Sequence, residues 1–120
     1  MFAIDILRGG RTLLKDLATW TKDVHARDAS GNETTVLGDT AQCFCLDGAM
    51  HRVERTDPEE ATTSDHIIVD RLLDAAAKEL FPDRLEGDCG QFVNFNDHDK
   101  TTHADVLAVI DRAILLAEAC

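Results

Sequence analysis

Thr102-His103-Ala104-Asp105-Val106-Leu107-Ala108-Val109-Ile110-Asp111-Arg112-Ala113-Ile114-Leu115-Leu116-Ala117 is the stretch on which the reading of the fold turns. Thr102 followed three residues later by Asp105 is a helix-start signature, because each side chain can bond the other's backbone amide. Ala104, Leu107, Ile110, Ile114 and Ala117 then recur every three or four residues, with Val106 and Ala113 alongside. This spacing predicts a long amphipathic helix, whose apolar stripe needs other helices to cover it.

Working outward, the same periodicity recurs upstream. Leu13, Leu17 and Trp20, with Leu14 beside them, predict a helix over 11–21, preceded by the interrupting pair Gly9–Gly10. Asp39 with Gln42 resembles a capping box, and Cys45, Ala49 and Val53 mark a helix over 40–54. Gly48 in that helix permits another backbone to approach closely. Asp57-Pro58-Glu59-Glu60 is a second start signal, with Ser64 as a later cap. Val69, Leu73, Ala76 and Leu80 carry that helix to Pro82, which stops it.

Between the first two helices, Asp28 to Asn32 is dense in turn residues, which predicts a hairpin with strands near 23–27 and 33–36. Gln91–Phe95 alternates in part and predicts a short third strand. The expected fold is therefore α+β, mainly α, with four helices packed on a small hairpin. At 120 residues, 1–120 form a single domain. The expected core includes Leu13, Leu17, Trp20, Cys45, Ala49, Leu72, Leu73, Leu107, Ile110 and Ile114.

Composition narrows the function. The net charge is −11, with +1 over residues 1–30 and −12 over residues 31–120. Such a chain does not grip nucleic acid through phosphates, which needs clustered positive charge. No apolar run is long enough to cross a membrane, and no signal peptide is read at the N-terminus. A cytoplasmic protein with reduced thiols is expected. Cys43, Cys45, His51 and Cys89 have no standard zinc spacing, so Cys43 or Cys45 reads as a buried small side chain and Cys120 as an exposed terminal one.

Several short motifs occur in order: Ala26-Arg27-Asp28-Ala29-x-Gly31, Cys45-Leu46-x-Gly48-Ala49, Phe95-Asn96-Asp97, and Thr102-x-x-Asp105-Val106-Leu107. Together they resemble a family of small bacterial and phage proteins known as domain of unknown function 6197. The resemblance spans residues 11–117. The family's usual Trp before Cys is Phe44 here, and its Trp before Asn-Asp is Phe95. The resemblance implies this architecture and a bacterial or phage origin, and brings no activity with it.

No catalytic motif is present, and no cofactor is expected. His25, His51, His66, His98 and His103 are scattered along the chain. Cys45 and His51, six apart on one helix, do not face each other. The expected function is a small acidic protein-binding module, of the kind a phage uses as an accessory or inhibitor, occupying the basic nucleic-acid-binding surface of a partner protein. Its contacts would be Asp57, Glu59, Glu60, Asp65, Asp70 and Asp74. The alternative is a small-ligand or metal-binding domain, with or without enzymatic activity, built on Asn96, Asp97, His98, Asp99 and His103. The plainer reading of that turn is that Asn96 or Asp97 satisfies backbone amides. A homodimer joined by leftover apolar helix surface is a third class.

Overall fold

The computed structural model describes residues 1–119; Cys120 lies outside the described residues. The chain order is α1 (Ala3–Leu13), a 3-10 turn (Leu17–Thr19), β1 (Ala26–Arg27), β2 (Cys43–Phe44), α2 (Leu46–Glu54), α3 (Ser64–Leu80), a 3-10 turn (Pro82–Arg84), α4 (Gln91–Asp97) and α5 (His103–Glu118). The class is α+β, mainly α, with five α-helices among the described residues where four were expected.

Helix α5 starts as its sequence dictates. Thr102 Oγ1 accepts the Asp105 amide, and Asp105 Oδ2 accepts the Thr102 amide. The helix packs on α3 and α1. Its fully buried residues are Val106, Val109, Ile110 and Ala113. The apolar stripe is thus rotated from the expected one: Ala104 is exposed, and Leu107, Ile114 and Ala117 lie at its margin. Ile6, Leu7 and Leu14 of the first segment and Val69, Leu73, Ala76 and Ala77 of α3 complete the core. Each buried Leu or Ile contributes about 1.5–3 kcal/mol.

The first helix lies earlier than 11–21. It runs straight through Gly9–Gly10 because α2 packs there: a Cβ on Gly9 would strike Val53, and one on Gly10 would strike Met50. That close approach outweighs the helix cost of two glycines, about 1 kcal/mol each. Leu17, expected in the core, is 67% exposed.

The expected hairpin is also corrected. The Asp28–Asn32 turn forms, with Asp28 Oδ1 accepting the Ser30 and Asn32 amides and Gly31 at φ +86°. Beyond it, however, 33–36 contributes only a single bridge, Arg27 to Glu33. The ladder pairs β1 antiparallel with β2, Ala26 opposite Phe44 and Arg27 opposite Cys43. Phe44 is buried and also bridges Trp20, whereas in 33–36 only the last residue, Val36, is buried, after the polar Glu33-Thr34-Thr35. Helix α2 consequently starts at Leu46, and its cap is Cys45 rather than Asp39, with Cys45 Sγ accepting the Gly48 amide.

Residues 91–95 form no third strand; they belong to α4. Phe92, Phe95 and Asn96, three and four apart, make one buried face. Phe95 stacks on Phe81 at 5.1 Å. In α3 the cap is Thr63, whose hydroxyl accepts the His66 amide, rather than Asp57 or Ser64; Asp57-Pro58-Glu59-Glu60 forms a turn, with Asp57 accepting the Glu59 amide, and starts no helix.

Candidate metal centre

Helices α2 and α3 meet through polar side chains. Asp47 and His51 are one turn apart on α2, and His66 and Asp70 are one turn apart on α3. Each pair projects from one helix face. Asp47 Oδ1 lies 3.6 Å from His51 Nε2 and 3.6 Å from His66 Nε2. Asp70 Oδ1 lies 3.4 Å from His66 Nε2. The two imidazoles stack with centroids 3.9 Å apart.

Neighbours fix which ring nitrogens face the centre. His66 Nδ1 donates to Glu54 Oε1 at 3.0 Å. Thr56 gives its one hydroxyl proton to Glu54 Oε1, so at 2.8 Å it accepts from His51 Nδ1. Both rings therefore carry hydrogen on Nδ1, and both Nε2 atoms point at Asp47 Oδ1. Thr63, the cap of α3, also donates to Glu54, which ties the connection 55–63 to this carboxylate.

The approach of β1 supplies the third brace. Gly48 lies against the carbonyl of His25, and any Cβ there would collide with it. The Cys45 amide donates to the same carbonyl at 3.2 Å. This contact brings His25 Nε2 to 3.0 Å from Asp47 Oδ2. A groove of about 630 Å³ begins at His25 and runs between residues 33–37 and 57–59.

The electrostatics are under tension. Burial alone would raise the Asp47 carboxyl, but the His25 bond and the His66 and His51 rings hold it well below the usual carboxylate range. Burial lowers His51, and the neighbouring His66 and His25 rings add to this against the pull of Asp47. Burial would also lower His66, but Asp47, Asp70 and Glu54 together hold it above its ordinary value. Burial pushes Asp70 up to about 6, with Asp47, Asp74 and Glu54 adding and His66 opposing. His66 Nε2 and Asp70 Oδ1 are buried without a hydrogen-bond partner, and the only other such side-chain atom among the described residues is Arg84 Nε. A lone pair on His66 Nε2 facing two carboxylates is repulsive unless a proton or a cation sits between them.

The sequence-derived candidates are distributed differently. Asn96 is buried and fully occupied: its Oδ1 accepts from Trp20 Nε1 and the Leu46 amide, and its Nδ2 donates to the Thr21 carbonyl and to Asp97. Asp97 accepts the Asp23 amide, and His98 Nδ1 accepts the Lys100 amide. His103 Nε2 donates to the Leu14 carbonyl. Asp99 is exposed. That turn is a structural knot, in which Asn96 satisfies the first amide of α2.

Among the acids, Glu59 and Glu60 are exposed, and Asp57 accepts the Glu59 amide within their loop. Asp65 is half-buried in the first turn of α3. Asp74 turns inward and accepts the Phe92 amide, and Asp70 joins the histidine cluster. Burial pushes the Cys45 thiol up to about 12, which keeps it protonated. Among the described residues, Asp47, His51 and His66 form the one group of three or more His, Cys, Asp or Glu whose ligand atoms all lie within 4.8 Å of one another.

No described helix is long and apolar enough to cross a membrane. A family model, "Family of unknown function (DUF6197)", matches residues 2–116, and the chain belongs to that family. No curated protein and no solved structure matches it.

Proposed function

We propose that this member of the family is a metal-binding domain, which takes a first-row divalent cation of the zinc type between α2 and α3. The ligand atoms are Asp47 Oδ1, His51 Nε2 and His66 Nε2, with Asp70 on the fourth side. The observation that carries this reading is the buried His66 Nε2, which has no partner and faces carboxylate oxygens at 3.4 and 3.6 Å. A tetrahedral zinc with bonds of about 2.0–2.1 Å places its ligand atoms about 3.3 Å apart, close to these spacings. The mixed imidazole and carboxylate set suits zinc and its neighbours rather than magnesium or calcium, which prefer oxygen alone. Glu54 on His66 and Thr56 on His51 are the outer partners that metal-bound histidines ordinarily have.

The test is elemental analysis of protein purified without chelator, followed by calorimetric titration of the stripped protein with Zn²⁺. One ion per chain is expected, lost in Asp47→Asn and kept in Asp97→Ala. Retention in neither or in both would sink the assignment.

The surface carries a second reading. Asp57, Glu59 and Glu60 share one loop and form no ion pair among the described residues, on a chain of net charge −11. They suit a protein partner with a basic surface. Partner capture that is released by salt and abolished by Glu59→Lys with Glu60→Lys would support it; capture indifferent to both would refute it.

A further inference from the structure

We propose that Asp47, His51 and His66 are the permanent ligands, and that the side facing Asp70 is an exchangeable coordination position that holds water and admits small monodentate ligands. This rests on the metal-binding reading above.

The argument is the unequal bracing of the four groups. His51 is held by Thr56, His66 by Glu54 and Asp47 by His25, each through a hydrogen bond of 2.8–3.0 Å. Asp70 has no such brace, and its Oδ1 is without any hydrogen-bond partner. Exposure follows the same division: the side chains of His51 and His66 are 7% and 1% exposed, that of Asp70 39%. Three donors are therefore preorganised, whereas the fourth would be held by the ion alone. Zinc sites with three protein ligands and a water in the fourth place are those that polarise the water or a ligand replacing it. Asp70 is placed to accept a hydrogen bond from that water. Asp47, Asp70 and Glu54 together outweigh a dication, so the position should favour neutral ligands over anions.

Cobalt(II) reports this directly, because its visible absorption changes with the ligand in an open position. The stripped chain is loaded with Co²⁺, then titrated with imidazole and, separately, with azide, and retained cobalt is measured after desalting. Expected are a saturable spectral change with imidazole, a weaker response to azide, and tighter azide binding in Asp70→Asn, where a negative charge is gone. Asp70→Asn should hold Co²⁺ within about tenfold of the parent chain, while Asp47→Asn weakens it by more than about a hundredfold. Circular dichroism confirms that each variant is folded. A spectrum unmoved by either probe, or a loss in Asp70→Asn equal to that in Asp47→Asn, means a closed four-ligand site and overturns the inference while leaving metal binding intact. A parent chain that takes up no Co²⁺ overturns both.

Discussion

Two polar regions of this molecule have nearly the same ingredients and opposite character. The 96–103 turn combines Asp and His with Asn, and the α2–α3 contact combines Asp and His with Glu. In the turn, the buried Asn96 has each side-chain atom matched to a donor or acceptor. At the α2–α3 contact, the outer nitrogens of both rings and the outer oxygen of Asp47 are matched, yet the inner atoms His66 Nε2 and Asp70 Oδ1 face each other at 3.4 Å without a hydrogen-bond partner. Residue type does not separate a structural knot from a binding centre; the balance of donors and acceptors does. A satisfied network gains nothing from a ligand, and an acceptor-rich one does.

The largest expected effect breaks or secures that comparison. Free Zn²⁺ at a thousandfold excess over its Kd should stabilise the chain by about 4 kcal/mol, read as a shift in urea or thermal unfolding. No shift would place the two regions in the same class. Next is Asn96→Ala, which strands the Trp20 indole, the Leu46 amide and the Thr21 carbonyl. It should cost about 3 kcal/mol in urea unfolding and leave metal stoichiometry unchanged. Gly48→Ala follows, at about 2 kcal/mol, because the new Cβ meets the His25 backbone. It should also weaken metal binding, since it moves the brace on Asp47; an undisturbed affinity would show that His25 plays no positioning part.

Acidity gives a smaller effect with a diagnostic sign. In chelator-stripped protein, His66 and His25 sit above their ordinary value of 6.5, so their stabilisation is present below that pH and is lost as pH rises through the folded values. Asp70, at about 6 against an ordinary 3.8, penalises the fold above pH 6, and the penalty lifts on acidification. His51, held low, opposes these with a single ring. Asp47, held low, contributes above its ordinary 3.8 and is lost only at stronger acidity. Stripped protein should therefore gain stability from pH 8 to 5, then lose it below 4. Zinc-loaded protein should lose stability over the first of those intervals, because protons displace the ion from the imidazoles. Parallel curves would argue against the site. The smallest effect belongs to the exposed loop: Glu59→Lys and Glu60→Lys should change unfolding by less than about 0.5 kcal/mol.

Much of the helical framework was legible because it depends on local spacing. The Thr102–Asp105 box starts α5, and Pro82 ends α3, as read. The strand at 91–95 was misassigned because a short apolar run alternates and also fits one helix face; Phe92, Phe95 and Asn96 decide for the helix only when there is a core to meet. The proposed metal centre left a signal that single-residue reading passes over. Asp47-x-x-x-His51 and His66-x-x-x-Asp70 are mirror-image pairs, each one helical turn long, on two segments already expected to be helices. Taken singly, those histidines look scattered. Taken as helix-face pairs, they are two halves of the proposed ligand set.

The class follows from local sequence alone: an acidic, mainly helical chain whose caps, stripes and glycines are properties of a few adjacent residues. Which faces would meet was decided only by tertiary structure. The α2–α3 pairing depends on the connection 55–63 closing through Glu54 and Thr63, on Gly9 and Gly10 letting α1 approach α2, and on Gly48 admitting β1. Apart from Glu54 with Thr63, nine residues apart, these contacts join segments distant in the chain, and no periodicity within a segment encodes them. The same separation hid the orphaned atoms of His66 and Asp70, since a buried group is unsatisfied only in relation to everything packed around it.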